Sequence, residues 1–133
     1  MKTRMLFLLV LLSSASLWAQ PIQGRLSDTK KTPEKVVQEV KKKDSYLIDV
    51  RTPEEYREGH LLYAQNIDYK SAAFKEELAK LDKRKPVYLY CRSGNRSGKA
   101  VDTLALLGFK EVYNIGGFEL LKTDGLPASP ASK

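Results

Sequence analysis

YLYCRSGNRSGKA, residues 88–100, contains the only cysteine of the 133-residue chain, Cys91. The apolar run at 86–90 predicts a buried β-strand, and the pattern at 97–107 predicts an α-helix. Gly94 lies in the short loop between them. A strand, a tight loop and a helix N-terminus together point several backbone N–H groups at one place, which suits an anion. The segment therefore predicts an anion cradle around Cys91.

A thiol in such a cradle is expected to ionise more readily than a free cysteine. The positive end of the helix dipole and the side chains of Arg92 and Arg96 favour the thiolate over the thiol. A lone cysteine is more often an inert, buried apolar residue. The glycine and the arginines of this loop favour the other interpretation, a nucleophilic cysteine that forms a covalent intermediate.

Short segments on both sides of Cys91 occur in an order that resembles the rhodanese-like domain family of sulfurtransferases, and most of all its exported, single-domain type. The resemblance covers about Thr32 to Pro127, nearly all of the chain after its first residues. Several segments in the right order are far more specific than any one of them. Besides the cysteine loop, the matching segments are Leu47–Tyr56, Glu58–Leu61, Ala64–Ile67, Leu107–Phe109, Val112–Glu119 and Gly125–Pro127.

The resemblance implies an α/β fold of the rhodanese-like kind, with a mainly parallel central sheet and helices on both faces. The residue pattern leads to the same fold class, because strands alternate with helices along the chain. In such sheets the functional site lies beyond the carboxyl ends of the strands, which is where Cys91 falls. The resemblance further implies a thiosulfate sulfurtransferase, in which Cys91 takes the outer sulfur of thiosulfate as a persulfide and passes it to cyanide or a thiol. No cofactor is expected.

Apolar periodicity, caps and glycines predict the order of the elements. Thr32 caps a first helix, and Thr52 and Glu55 form a capping box before a second. Strands are predicted at 45–50, 64–67, 86–90 and 110–115, and further helices at 72–81, 97–107 and 117–122. In the helix after the cradle, the inward positions are predicted to be Val101, Leu104, Ala105 and Leu107.

The predicted site consists of one catalytic residue, a substrate-binding loop and three supporting residues. Cys91 is the nucleophile, and Arg92 and Arg96 are expected to bind a dianionic donor, since arginine suits paired contacts with oxyanions. The alternative for either arginine is an exposed side chain or an ion pair. The substrate-binding set is Arg92, Ser93, Gly94, Asn95, Arg96 and Ser97, and the supporting set is Asp49, Arg51 and His60.

The resemblance places the supporting residues near the cradle. Asp49 and Arg51 lie at the end of a neighbouring strand, and their expected role is an internal ion pair that holds the loops. His60 is the only histidine, and we expect it to fix a loop by a hydrogen bond rather than to act as a base. One cysteine and one histidine cannot close a zinc site, so no metal is expected.

Two other functions stay open at this stage. The first is a phosphatase or arsenate reductase on the same fold, but relatives with that chemistry have a loop one residue longer than the four residues between Cys91 and Arg96. The Cys-Arg-x-Gly start of the loop also resembles thiosulfate enzymes rather than mercaptopyruvate enzymes. The second is a non-catalytic module that carries sulfane sulfur or binds a partner. Leu121 stands where the family often has tryptophan, which leaves the packing of the last helix open.

The N-terminus has the three regions of a secretory signal peptide: a basic start, an unbroken apolar run at 5–12 and a small, mixed stretch that ends at Ala19. The apolar run is too short for a typical membrane span. We therefore expect a periplasmic or secreted protein without a stable membrane anchor after signal removal. The predicted organisation is a signal peptide at 1–19, an arm at 20–31 that is loose or forms a short edge strand, a single rhodanese-like domain at 32–127 and a disordered tail at 128–133.

Charge and cysteine content limit the partners. The formal net charge of +7 falls to +5 when the predicted signal peptide, with Lys2 and Arg4, is removed. The positive charges are spread along the chain, so we expect a solvated surface that attracts small anions, and no nucleic-acid partner. An exported protein with one thiol is unusual enough to favour a reactive role for it. We expect a monomer whose partners are a small anionic sulfur donor and a thiol or cyanide acceptor.

Overall fold

The computed structural model describes residues 26–131; the signal peptide predicted at 1–19 lies outside the described residues. None of the helices in this described part is both long and apolar enough to cross a membrane. In chain order the elements are a 3₁₀ helix (Leu26–Thr29), α1 (Pro33–Lys41), β1 (Tyr46–Asp49), α2 (Pro53–Arg57), β2 (His60–Leu61), β3 (Gln65–Asn66), α3 (Phe74–Ala79), β4 (Val87–Cys91), α4 (Asn95–Leu106), β5 (Val112–Gly117), α5 (Phe118–Thr123) and β6 (Ala128–Ser129).

A sheet of four parallel strands forms the centre of the domain, in the order β3-β1-β4-β5. This arrangement confirms the predicted fold class, α/β with a mainly parallel central sheet and helices on both faces. Because the strands are parallel, their carboxyl ends share one edge of the sheet. That edge carries Asp49 at the end of β1, Cys91 at the end of β4 and Gly117 at the end of β5.

Strand β4 shows how both faces of the sheet are covered. All of its residues are buried, and alternate side chains enter different cores. Tyr88 and Tyr90 pack with residues of α1 and α5, whereas Val87, Leu89 and Cys91 pack with residues of α3 and α4. The side chain of Cys91 therefore lies on the face of the sheet that α4 covers.

The helices begin in two different ways. Thr32 caps α1 by accepting a hydrogen bond from the backbone N–H of Lys35, and Thr52 and Glu55 form the predicted capping box at α2. Helix α4 has Gly94 at its N-cap, with φ +90° and no side-chain cap. The first N–H groups of α4 are thus left for another acceptor at the carboxyl edge of the sheet.

The packing of α4 differs from the prediction at one position. Its buried residues are Ser97, Ala100 and Leu104, and Ala105 is exposed rather than inward. The helix turns by about 100° per residue, so a buried face through 97, 100 and 104 leaves position 105 at its side. In α5, Leu121 is fully buried in the core, so a leucine fills this position without tryptophan.

Both ends of the domain are more ordered than the sequence predicts. The described part of the arm contains a 3₁₀ helix rather than a loose segment or an edge strand, and Leu26 of that helix is buried in the core. Lys31 Nζ holds the segment further, donating to Glu39 Oε2 at 2.9 Å and to the Tyr88 hydroxyl at 2.6 Å. At the other end, Ala128–Ser129 form β6, which pairs antiparallel with β2, so the disorder predicted from 128 onward is wrong for these two residues.

Candidate active site

Cys91 lies where β4 ends and the chain bends through residues 92–94 into α4. It is buried, with 1% of its surface exposed. The N–H of Gly94 donates a hydrogen bond to Sγ at 3.1 Å, and Ser97 Oγ lies 3.4 Å from Sγ. The positive φ of Gly94, which glycine adopts readily, lets the loop close this tightly. The sulfur thus takes the place of a side-chain cap at the N-terminus of α4.

The pKa of the Cys91 thiol is lowered from its ordinary value. Burial is the largest influence and acts in the opposite direction, because it disfavours the charged thiolate. The Ser97 hydroxyl and the backbone N–H groups of Ser97, Ser93 and Gly94 together outweigh burial. Three of these four donors are backbone N–H groups of the predicted cradle, and the Ser97 hydroxyl leads the influences that lower the pKa.

Arg96 is paired with a carboxylate rather than open to a donor anion. Its two terminal nitrogens donate to Glu55 Oε2 at 2.7 Å and to Oε1 at 2.8 Å. Glu55 also accepts the N–H of Thr52 at 2.9 Å. These contacts, led by the hydrogen bond from Arg96, lower the pKa of Glu55 to about 2. Of the two alternatives for Arg96, donor binding or an ion pair, the structure shows the ion pair, which ties the cysteine loop to α2.

The exposed residues of the cradle are Arg92, Ser93 and Asn95. Arg92 is the one arginine of the loop whose side chain stays exposed. Its backbone is closely packed, since a Cβ on Gly117 would lie 2.5 Å from the Arg92 carbonyl oxygen. The end of β5 thus packs backbone to backbone against the loop.

The three supporting residues hold the segment between β1 and β2. Asp49 and Arg51 form the buried ion pair that the sequence predicts, with Asp49 Oδ2 2.6 Å from Arg51 Nη2. Arg51 also donates to the carbonyl oxygen of Gly59 at 2.7 Å. His60 Nδ1 lies 3.0 Å from the carbonyl oxygen of Tyr56, and the two rings stack with centroids 3.7 Å apart. These contacts position α2 and the turn that follows it.

Two residues of the site were outside the sequence prediction. Asn114 of β5 donates from Nδ2 to the Gly94 carbonyl oxygen at 2.9 Å and accepts from Ser97 Oγ at 2.8 Å. A polar residue inside a mostly apolar strand was the signal for it. Glu55 was recognised only as half of a capping box, because its pairing with Arg96 joins residues far apart in sequence.

The arrangement supports nucleophilic chemistry at sulfur. It combines a buried thiol of lowered pKa, hydrogen-bond donors that converge on it and an exposed arginine at position 92. Across residues 26–131, no group of three or more His, Cys, Asp or Glu side chains is placed to hold a metal ion.

Comparison with known proteins identifies the class. Residues 32–124 match the rhodanese-like domain family, and the chain belongs to it. Over 95 residues it is 42% identical to the thiosulfate sulfurtransferase GlpE of Coxiella burnetii, covering 71% of this chain and 86% of that one. Over 72 residues it is 39% identical to the thiosulfate sulfurtransferase PspE of Escherichia coli, covering 54% of this chain and 69% of that one.

A solved structure agrees with these relatives. A rhodanese with anions from E. coli superimposes with a TM-score of 0.55 at 36% identity, covering 65% of this chain and 99% of that one. The family and the enzyme class predicted from the sequence, a rhodanese-type sulfurtransferase, are confirmed.

Proposed function

We propose that the protein transfers the outer sulfur of thiosulfate to cyanide or a thiol through a persulfide on Cys91. The observation that carries the proposal is the buried Sγ at the start of α4, which accepts the N–H of Gly94 at 3.1 Å and has the Ser97 hydroxyl within reach at 3.4 Å. Thiosulfate as the donor is supported by the names of the GlpE and PspE relatives.

In the first step, the Cys91 thiolate attacks the outer sulfur of thiosulfate. The S–S bond of thiosulfate breaks, its electron pair leaves with sulfite, and a new S–S bond joins the transferred sulfur to Sγ. The lowered pKa of Cys91 raises the fraction of thiolate available for this attack. Arg92 is exposed beside the cysteine and binds the dianionic donor through charge-assisted hydrogen bonds.

In the second step, the acceptor attacks the outer sulfur of the persulfide. The Sγ–S bond breaks, its electron pair returns to Sγ, and thiocyanate or the persulfide of the acceptor thiol is released. Negative charge stays at the cradle throughout, first on the persulfide and then on the thiolate. The backbone N–H groups of Ser93, Gly94 and Ser97, which act on Sγ, stabilise both states.

Steady-state kinetics with thiosulfate and cyanide test this proposal. A two-step covalent mechanism predicts thiocyanate formation with parallel double-reciprocal plots, and no turnover by Cys91→Ala. Aryl phosphates, assayed on the same preparation, are expected to react negligibly, because the short loop and the neutralised Arg96 suit a phosphate poorly. If aryl phosphates are cleaved faster than thiosulfate is used, the phosphatase alternative replaces the sulfurtransferase.

We propose in addition that the protein is exported and acts as a monomer in the periplasm or outside the cell. The support for export is the sequence of residues 1–19, with its basic start and short apolar run. Protein made in a bacterium from the full sequence is expected to begin near Gln20 in the periplasmic fraction and to elute as a monomer. Uncleaved protein found only in the cytosol would contradict export.

A further inference from the structure

A β-bulge places Asn114 against the cysteine loop. The register of β4 with β5 shifts by one residue there, since Leu89 is paired with Asn114 but Tyr90 is paired with Gly116. Bulges of this kind redirect side chains and are frequent beside active sites. The Asn114 side chain thereby reaches both the loop and the first turn of α4.

Two backbone groups fix the orientation of the Asn114 amide. Nδ2 lies 2.9 Å from the Gly94 carbonyl oxygen, which only accepts, and Oδ1 lies 3.2 Å from the Gly116 N–H, which only donates. Oδ1 is therefore the atom that faces Ser97 Oγ, at 2.8 Å. Because Oδ1 can only accept, the Ser97 hydroxyl donates to it.

The Ser97 hydroxyl has one proton and two neighbours that can accept it. Asn114 Oδ1 lies at 2.8 Å and Cys91 Sγ at 3.4 Å. A thiol at position 91 can donate its own proton to Ser97 Oγ while Ser97 donates onward to Asn114. A bare thiolate has no proton to give, so the hydroxyl stabilises it only by turning away from Asn114.

We propose that Asn114 is a positioning residue for the Ser97 hydroxyl. It accepts the hydrogen bond of this hydroxyl while Sγ carries a proton or a second sulfur, and the hydroxyl turns to donate to Sγ when Sγ becomes a thiolate. This inference rests on the proposed sulfur transfer. There, Sγ gains negative charge as the acceptor takes the outer sulfur and the Sγ–S bond breaks. The turn of the hydroxyl at that moment stabilises the leaving thiolate.

The charged groups near Sγ lie outside this pair of residues. Arg96 acts on Cys91 from α4 and is itself paired with Glu55 of α2. Asp49 and Arg51 form their own pair after β1. Neutral substitutions at 97 and 114 leave these charges in place, so a change in Cys91 ionisation reports on the hydroxyl and the loop.

Alkylation by iodoacetamide over a range of pH reads the ionisation of Cys91 directly, because the chain has one cysteine. Asn114→Ala frees the hydroxyl to donate to Sγ, so at a pH below the midpoint we expect alkylation roughly two- to tenfold faster, the range of one net hydrogen bond. Asn114→Leu, close to asparagine in size, gives the same test if the alanine variant does not fold. In Ser97→Ala protein, the same substitutions of Asn114 are expected to change nothing.

The two backgrounds separate competition for the hydroxyl from a simple structural role. Asn114 holds Gly94 in both, so loosening of the loop would appear with and without Ser97. Slower or unchanged alkylation in Asn114→Ala, or an equal change in both backgrounds, overturns the proposal. Failure of the proposed function is seen separately, as wild-type protein that gains no sulfur from thiosulfate. In loaded protein, discharge to cyanide in a single turnover is expected to be slower in Ser97→Ala.

Discussion

The loop around Cys91 is held from two sides by different chemistry. On the α2 side, Glu55 and Arg96 form a bidentate ion pair. On the β5 side, the neutral amide of Asn114 and the close approach of Gly117 hold it. A carboxylate beside a sulfur would disfavour its thiolate. The carboxylate on the α2 side, Glu55, is neutralised by Arg96. On the β5 side the residue that contacts the Ser97 hydroxyl is the neutral amide of Asn114.

The largest effect is expected on the β5 side, from Gly117→Ala. The new Cβ would lie 2.5 Å from the Arg92 carbonyl oxygen, and backbone cannot move aside as a flexible side chain can. Overpacking of this kind costs about 1–3 kcal/mol of stability. Displacement of the loop is expected to lower kcat/KM for thiosulfate roughly a hundredfold.

Gly98→Ala is the matched control, because its Cβ would meet a side-chain atom, the Asn114 amide nitrogen at 3.2 Å, and not the backbone. Its loss of activity is expected to be clearly smaller. Near-normal turnover by Gly117→Ala would show that the β5 side does not hold the loop.

The next effect distinguishes the two arginines of the loop. Arg96 is engaged by Glu55, whereas Arg92 is exposed, and we propose that Arg92 binds the donor. Arg92→Gln is expected to lower kcat/KM for thiosulfate roughly tenfold to a hundredfold, because it removes one charge-assisted contact that contributes about 1.5–3 kcal/mol. Lys99→Gln removes another exposed cation, of α4, and controls for general attraction of anions. Equal losses in both variants would mean that Arg92 acts only through its charge at a distance.

The smallest effect is on stability and depends on pH. Glu55 has a folded-state pKa of about 2, against an ordinary value of 4.5. A lowered carboxyl pKa stabilises the fold above pH 4.5, and this contribution is lost as the pH falls towards 2. Glu55→Gln is therefore expected to lower the free energy of unfolding by about 1 kcal/mol at neutral pH, since the pair is partly exposed.

Urea unfolding of wild type and Glu55→Gln at several pH values measures this difference. It is expected to shrink as the pH falls from 4.5 to about 2. Glu54→Gln, at the neighbouring exposed position, should change stability little at any of these pH values. If the difference in unfolding free energy between wild type and Glu55→Gln does not depend on pH, Glu55 stabilises the fold by something other than its charge pair with Arg96.

Local sequence patterns predicted most of the fold. Thr32 and Thr52 mark the starts of α1 and α2 as caps, and the apolar run before Cys91 is a buried central strand. The errors lie where distant segments decide the outcome. Strand β6 exists because the backbone of β2 pairs with it, and small polar residues at Ala128–Ser129 carry no sign of that pairing.

The residues of the site show the same division between those placed by local sequence and those brought in by distant segments. Cys91, Gly94 and Ser97 lie within seven residues of one another and are predicted together, since one loop and one helix start place them. The partners that restrain this loop, Glu55 and Asn114, come from other elements. Only folding brings a carboxylate to Arg96, so an arginine expected to bind the donor is found in an ion pair.

Intact mass of the purified protein tests the central claim most directly. Incubation with thiosulfate is expected to add one sulfur atom, about 32 Da, to the chain, and cyanide is expected to remove it, because Cys91 holds a covalent persulfide. Cys91→Ser should show neither change, since Cys91 is the only cysteine. Addition of sulfur to the serine variant, or no addition to the wild type, would contradict a persulfide on Cys91.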